Sequence, residues 1–444
     1  MNVFISRDRR IRYVGLIAVI LFFAGFFAPI AGYALPAFAR QTGQNCVACH
    51  AGGQFPELTA YGRLFKLTGY TIGTRTIPLS AMAVASFTKS SKPDADVAFA
   101  KDAVALFQTG SVFLAGKVTD NVGAFAQWTY NNYDSQNQDT GKWQGKWASD
   151  NFDLRYADRF ISPTQDFIFG VSLNNNPSLT DPWNTAPAWI QYVPTQFGVT
   201  APDASPIISQ LGTQVAGLTA YAFWNKTLYA ELAAYQTSNG VWSFLSQGTK
   251  AQDQTNLKGS NPYIRLALSH DWGPHSAMIG ILAMNAQLYP DNTNPVGPTT
   301  RYRDRGVDAQ YQYLLDPHTV TAQFSYIRET ITNGDVTGVA SNASNTLNQL
   351  RLKASYVYRA KYGTSLSYFS TTGSSDPTLY PDVAANPGTR GWVPEIFWMP
   401  VQYVRIGVQY YAYTQFHGAS SNYDGSGRNA KDNNTLFLYV WGAY

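Results

Sequence analysis

From Ser80 onward the chain divides into segments of about ten residues in which apolar and polar side chains alternate, the pattern of strands that cross a membrane with one face to lipid and the other to a lumen. The stretch from His318 to Tyr326 shows it plainly: Val320, Ala322, Phe324 and Tyr326 share one face, and Thr319, Thr321, Gln323 and Ser325 share the other. Residues 348–358 repeat the arrangement, with Leu350, Leu352, Ala354, Tyr356 and Tyr358 set against Gln349, Arg351, Lys353 and Ser355.

The connections carry a second period. Short turns are predicted at residues 118–121, 162–165, 225–226, 272–274, 315–317, 359–361 and 399–401. Between them fall long polar loops at 175–214, 237–261, 330–345, 372–390 and 417–433. Short connections on one side and long ones on the other are the asymmetry of an outer-membrane barrel, with the short turns periplasmic. The expectation is an all-β fold: a barrel of about sixteen antiparallel strands over residues 79–444, closed by the final segment 435–444, with both ends in the periplasm. A soluble periplasmic β-sandwich or β-helix also alternates, but neither requires this loop pattern.

Composition narrows the compartment. Arg7, Arg9, Arg10 and Arg12 precede an apolar run over 13–28 and the small-residue site Gly32-Tyr33-Ala34, the layout of a signal peptide over residues 1–34. A retained anchor is the other reading of that run, and both place the remainder outside the cytoplasm. No later segment approaches the ~20 apolar residues of a membrane helix. With 14% charged residues and a net charge of +4, the chain has no basic stripe of the kind that binds nucleic acid.

Residues 35–78 hold the candidate chemistry. The chain's two cysteines stand in Cys46-Val47-Ala48-Cys49-His50, the C-x-x-C-H pattern of c-type haem attachment. Each thiol bonds one porphyrin vinyl group, and the next imidazole falls beneath the iron as proximal ligand. A disulfide or a thioredoxin-like pair would use the same spacing, but nothing nearby reads as the βαβ setting that lowers a thiol pKa. The chain is therefore expected to carry one covalent haem c on Cys46 and Cys49, with His50 on the iron. A helix is expected from Pro56 to Gly69, with Leu58, Tyr61 and Phe65 on one face; Arg63 and Lys66 are candidate propionate contacts.

About forty residues cannot build an independent core. The haem segment is thus expected to be an α-helical plug that leans on the barrel from the periplasmic side. Any second iron ligand must come from the barrel or from solvent. Met82 is the first candidate; Met278, Met284, Met399, His270, His275, His318 and His417 are the others. Arg155, Arg265, Arg351, Lys353 and Arg405, with Asp153, Glu231 and Asp308, are expected to line the lumen, where the cations would suit an anionic cofactor.

"AFARQTGQNCVACH" followed by "FPELTAYGRLFKLTGY" and a porin-like barrel resembles the fused monohaem cytochrome-porins, the outer-membrane iron oxidases of Fe(II)-oxidising bacteria. The sharp match spans Ala37 to Tyr70, with Ala60 where members often carry proline. The resemblance implies one-electron oxidation of extracellular Fe(II), an Fe(II):cytochrome c oxidoreductase, with the electron passed to a periplasmic cytochrome c or copper protein. Other readings remain open at this point: a haem-plugged transport porin, or a conduit for a donor or acceptor other than iron. No G-x-S-x-G, P-loop or H-E-x-x-H motif suggests other catalysis. Asp376, Asp424 and Asp432 in the predicted outer loops are candidate cation attractors.

Overall fold

The computed structural model describes residues 36–53, 55–93, 103–137, 139–186, 204–246, 255–381 and 384–444. The signal-peptide expectation lies outside them. Sixteen strands form one closed antiparallel barrel, each hydrogen-bonded to its sequence neighbours and the first to the last. They are β1 (Leu79–Ser90), β2 (Val104–Lys117), β3 (Val122–Gln136), β4 (Trp143–Ile161), β5 (Asp166–Asn174), β6 (Val215–Trp224), β7 (Leu228–Thr237) and β8 (Asn261–Trp272). The second half comprises β9 (His275–Leu288), β10 (Thr300–Leu315), β11 (His318–Thr332), β12 (Ser344–Tyr358), β13 (Tyr362–Gly373), β14 (Thr389–Val401), β15 (Val404–Gln415) and β16 (Thr435–Ala443). Closure runs from Met82 opposite Ala443 to Ser90 opposite Thr435, so no edge strand is left with unpaired backbone groups.

The alternation read from the sequence is the alternation of the walls. In β11, Thr321, Gln323 and Ser325 are buried toward the lumen, whereas Tyr326 is exposed on the outer face. Leu218, Leu232, Ile279, Ile281 and Ile396, all exposed, make the apolar belt that faces lipid. Toward the short-turn end, His275 and His318 donate to or accept from the hydroxyls of Tyr311 and Tyr356 at 2.7 and 2.8 Å, building an aromatic girdle at the interface. A closed barrel with this belt is an outer-membrane barrel.

In the barrel, one turn and one loop differ from expectation. The turn expected at 399–401 lies at residues 402–403, because β14 runs through Pro400 to Val401. The pairing shifts register between Trp398 and Val401, and a proline without an N–H is tolerated at such a bulge. The loop 175–214 is not confined to the outside. Its described parts fold inward, burying Trp183 and, in the short helix α4 (Ile207–Gln210), Ile207 and Ile208. Three short helices precede the barrel: α1 (Pro36–Thr42), α2 (Cys46–Cys49) and α3 (Ala60–Leu67).

Candidate functional site

The segment before β1 enters the barrel from the short-turn end and binds the walls with most of its surface. Helix α3 starts at Ala60, four residues later than expected, because an antiparallel bridge between His50 and Leu58 keeps the preceding residues extended. Thr59 is its N-cap, accepting from the Gly62 N–H at 3.2 Å. Gly69, with φ +69°, ends the turn in the left-handed region where glycine is favoured.

The chain gives α3 little solvent to face. Gly62, Arg63, Phe65, Lys66 and Leu67 are all buried. The Arg63 guanidinium donates to Leu58 O (3.0 Å), Gln312 Oε1 (3.2 Å), Asp271 Oδ1 (3.0 Å) and Ser276 Oγ (2.8 Å). Lys66 Nζ donates to Asp181 O at 2.7 Å and Asn184 Oδ1 at 3.0 Å, both in the inward-folded loop. These two cations are therefore committed to protein oxygens of the wall and loop. Tyr70 donates to Asp153 Oδ2 at 2.6 Å, Arg155 donates to Lys66 O, and Tyr221 donates to Leu67 O at 2.7 Å. Leu67 also joins an apolar core with Ile168, Trp183, Tyr221, Tyr229 and Met278.

The C-x-x-C-H stretch is pinned to the lower rim. Cys46 N–H donates to Gln402 Oε1 at 2.9 Å in the β14–β15 turn, and Thr59 N–H donates to Cys49 O at 2.9 Å. Gly43, Gln44, Asn45 and Val47 stay exposed at this end. The two cysteines are not joined in a disulfide, and burial pushes the Cys49 thiol up to about 11. That is the opposite of the lowered pKa a redox-active pair requires.

His50 turns inward from this rim. Its ring centroid lies 4.0 Å from that of Phe55, whose ring lies 5.3 Å from Trp441; Trp441 Nε1 in turn donates to Met82 Sδ at 3.4 Å. Burial lowers the His50 pKa to about 4, with the Glu57 carboxylate opposing the shift. The imidazole is neutral at ordinary pH, the form that binds metal. Its Nδ1 is buried and makes no hydrogen bond. Glu57 is held by Lys353 Nζ, 2.7 Å from Oε1. Gly52, with φ +60°, packs so closely on β12 that an added β-carbon would stand 2.9 Å from Val357 Cβ.

Of the candidate second ligands, Met82 and Met399 face the lumen beside this segment. The Met399 sulfur lies 3.9 Å from where a β-carbon on Gly53 would be. Met278 and Met284 are buried in other clusters, Met278 with Trp183 and Met284 with Ile207. His275 and His318 belong to the outer girdle, His270 is exposed and stacked on Trp272, and His417 packs with Phe416 and Tyr423 in the loops.

The lumen-facing charges expected from the sequence do face inward, but several of the cations are paired with carboxylates. Arg155 bonds Asp153 at 2.7 Å, Arg265 bonds Asp308 at 2.6 Å and Asp181 at 3.2 Å, and Arg405 bonds Glu395 at 2.9 Å. Sequence reasoning missed Asp181, Glu57 and Glu395 as their partners, since carboxylates distant in sequence give no local signal. The loop acids have structural work. Asp376 accepts the N–H groups of Ser341, Asn342, Thr378 and Leu379, which hold its carboxyl well below the usual range. Asp424 accepts from Ser426 and Arg428, and Asp432 from Asn429.

No protein-family model and no curated relative matches the chain. Solved structures similar to it include the outer-membrane channel DcaP of Acinetobacter baumannii (14% identity, 82% of this chain and 96% of that one, TM-score 0.45). Two others are OmpF of Salmonella typhi in complex with daunomycin (11%, 82% and 97%, 0.46) and an anion-selective porin from Comamonas acidovorans (11%, 82% and 98%, 0.42). The membrane assignment of this chain rests on its own closed barrel and lipid-facing belt.

Proposed function

We propose that the protein is a haem-bearing outer-membrane barrel that oxidises extracellular Fe(II) one electron at a time and delivers the electron to a periplasmic cytochrome c or copper protein. The observation that carries the reading is the Cys46-x-x-Cys49-His50 stretch, anchored at the rim where both barrel ends lie, with a half-buried, neutral His50 packed on Phe55, beside Trp441 and Met82.

When bound, haem supplies a reversible one-electron couple at its iron. The chain's own part is attachment through Cys46 and Cys49, a neutral imidazole from His50, and an apolar wall of Phe55, Trp441 and Met82 that excludes water. The buried contacts of Arg63, Lys66, Tyr70 and Arg155 hold this assembly in register with the barrel. The exposed lip at Gly43 to Asn45 leaves the motif accessible to a soluble carrier from the short-turn side.

A sixteen-stranded barrel ordinarily leaves an aqueous channel; here α3 and the inward loop occupy the lumen along β4 to β10, with Trp183, Arg155, Arg265 and Tyr229 fully buried.

The test is stopped-flow spectroscopy of the purified, oxidised protein in detergent mixed with Fe(II). Rapid growth of the reduced-haem bands, absent from the Cys46→Ala, Cys49→Ala protein, is expected. A haem that stays oxidised with Fe(II) but is reduced by a strong chemical donor would overturn the iron assignment. A purified protein with no covalent haem would overturn the reading itself.

A further inference from the structure

Above the apolar belt, the outer wall of β10 and β11 carries an arginine cluster that neither the fold nor the redox reading explains. The outward residues of β10, read upward from the short-turn end, are Leu315, Tyr313, Tyr311, Ala309 and Val307, and then Arg305, Arg303 and Arg301. On β11 the outward partners are His318, Val320, Ala322, Phe324 and Tyr326, and then Arg328. From Leu315 to Val307 the outward face is apolar or aromatic, with Tyr311 in the girdle of the short-turn side, and no charge interrupts it. Arg305 and Arg328 are the first charges above it on the long-loop side, one pair beyond Val307 and Tyr326.

Their arrangement opposes itself. Arg305 is directly opposite Arg328 on the same face, with Arg303 and Arg301 next along the strand. Like charges directly across a ladder are destabilising. Among the described residues none of the four forms a salt bridge, and the Asp304 carboxylate reaches only Arg305, through space and from the lumen face. The outward residues flanking them are Gln287, Asn285, Thr330 and Asn348, all uncharged. The nearby carboxylates of Asp304 and Glu329 point into the lumen, where they accept the N–H groups of Ile208 at 3.0 Å and Ile207 at 2.6 Å. Arg305 donates to Asn285 Oδ1 and Asp304 O, contacts that orient it without neutralising it.

We propose that Arg301, Arg303, Arg305 and Arg328 form a clamp for the phosphates of a phosphorylated glycolipid in the outer leaflet. Guanidinium forks match phosphate oxygens in pairs. Asn285, Asn348 and Thr330 add neutral donors for sugar hydroxyls, and the apolar wall from Val307 and Tyr326 downward accommodates acyl chains. A second copy of this chain docking through the same patch would set arginine against arginine, which disfavours a symmetric self-contact there. This inference is independent of the haem reading.

The test is native mass spectrometry of the full-length protein in detergent, titrated with bisphosphorylated lipid A, its dephosphorylated form, and phosphatidylglycerol. Wild type is expected to retain lipid A at least tenfold more strongly than either of the others. The Arg303→Gln, Arg305→Gln, Arg328→Gln protein is expected to lose that preference while keeping the heat-modifiable mobility of a folded barrel. If the triple variant does not assemble, Arg303→Gln alone, expected to weaken retention severalfold, is read in the same assay. Equal retention of lipid A by a folded variant, of the dephosphorylated glycolipid by wild type, or of phosphatidylglycerol at the same strength would each overturn the proposal.

Discussion

The Gly62 α-carbon packs against the carbonyl of Cys49 so closely that a β-carbon at position 62 would stand 2.1 Å from the oxygen. That contact sets α3 on the C-x-x-C-H helix, because the opposing atom is backbone and has no rotamer by which to retreat. Gly62→Ala is therefore expected to separate the two helices at a cost of ~1–3 kcal/mol, the range for overpacking. Haem content per purified chain, measured as the pyridine haemochrome, should fall by more than half, with the barrel's heat-modifiable mobility unchanged. Full haem occupancy in the variant would show that the two helices have slack.

Arg63 makes one salt bridge and three further hydrogen bonds to the wall and its own segment. Removing it strips the buried Gln312 Oε1 and Ser276 Oγ of a donor, while Leu58 O keeps the Gln312 amide at 3.1 Å. Asp271 is partly exposed, so water compensates that carboxylate. Arg63→Ala is expected to weaken plug docking by ~2–4 kcal/mol, chiefly through the unsatisfied buried groups. In planar bilayers, wild type should show at most brief openings and the variant frequent larger steps. Identical conductance of the two would mean that the inward loop alone closes the pore.

Much of this architecture was legible in the chain. The period of two in segments such as residues 318–326 and 348–358 gave the strands and their faces, because lipid outside and lumen inside impose the same alternation on every strand. Loop lengths gave the orientation. What the pattern could not show was the inward course of the loop after β5. Trp183, Ile207, Ile208 and Leu211 were the available signal, being too apolar for a solvated loop, and they are buried against the wall. The helix boundary failed for a related reason: Pro56 and Glu57 are good first-turn residues, but the pairing of His50 with Leu58 and the Lys353 contact to Glu57 override the local preference. Pairwise partners across the lumen, such as Arg63 with Asp271, lie some two hundred residues apart and leave no local trace.

Lys66 links plug stability to pH. Its pKa is lowered from 10.5 to about 8, first by burial and then by the Arg155 charge, against the pull of Asp181, Asp153 and Glu231. Between these two values the released plug holds a proton that the docked plug lacks, so docking strengthens as pH rises from 8 toward 10 and is least favoured below 8. The whole effect is at most ~3 kcal/mol. The urea midpoint for plug release, followed by hydrogen exchange over α3, should rise across this window in wild type and stay level in Lys66→Met. A midpoint in wild type that falls over the same window would refute the assignment.

Met82 and Met399 make opposite predictions for the haem spectrum. The Met82 sulfur accepts from Trp441 Nε1, and the Trp441 ring neighbours Phe55, which packs on His50; Met399 lies against Gly53, on the backbone that follows His50. If haem is held by Cys46, Cys49 and His50, a thioether of the chain would supply the second iron ligand. Met82, beside the apolar wall of Phe55 and Trp441, is the residue proposed for that role. Met82→Leu is therefore expected to abolish the far-red methionine-to-ferric-iron charge-transfer band of the oxidised protein and to lower its midpoint potential, since thioether ligation raises it. Met399→Leu should retain both features, with a loss of thermal stability of ~1 kcal/mol from the volume-conserving change in its cluster with Val357 and Phe397. A band that survives Met82→Leu and disappears in Met399→Leu would reverse the assignment.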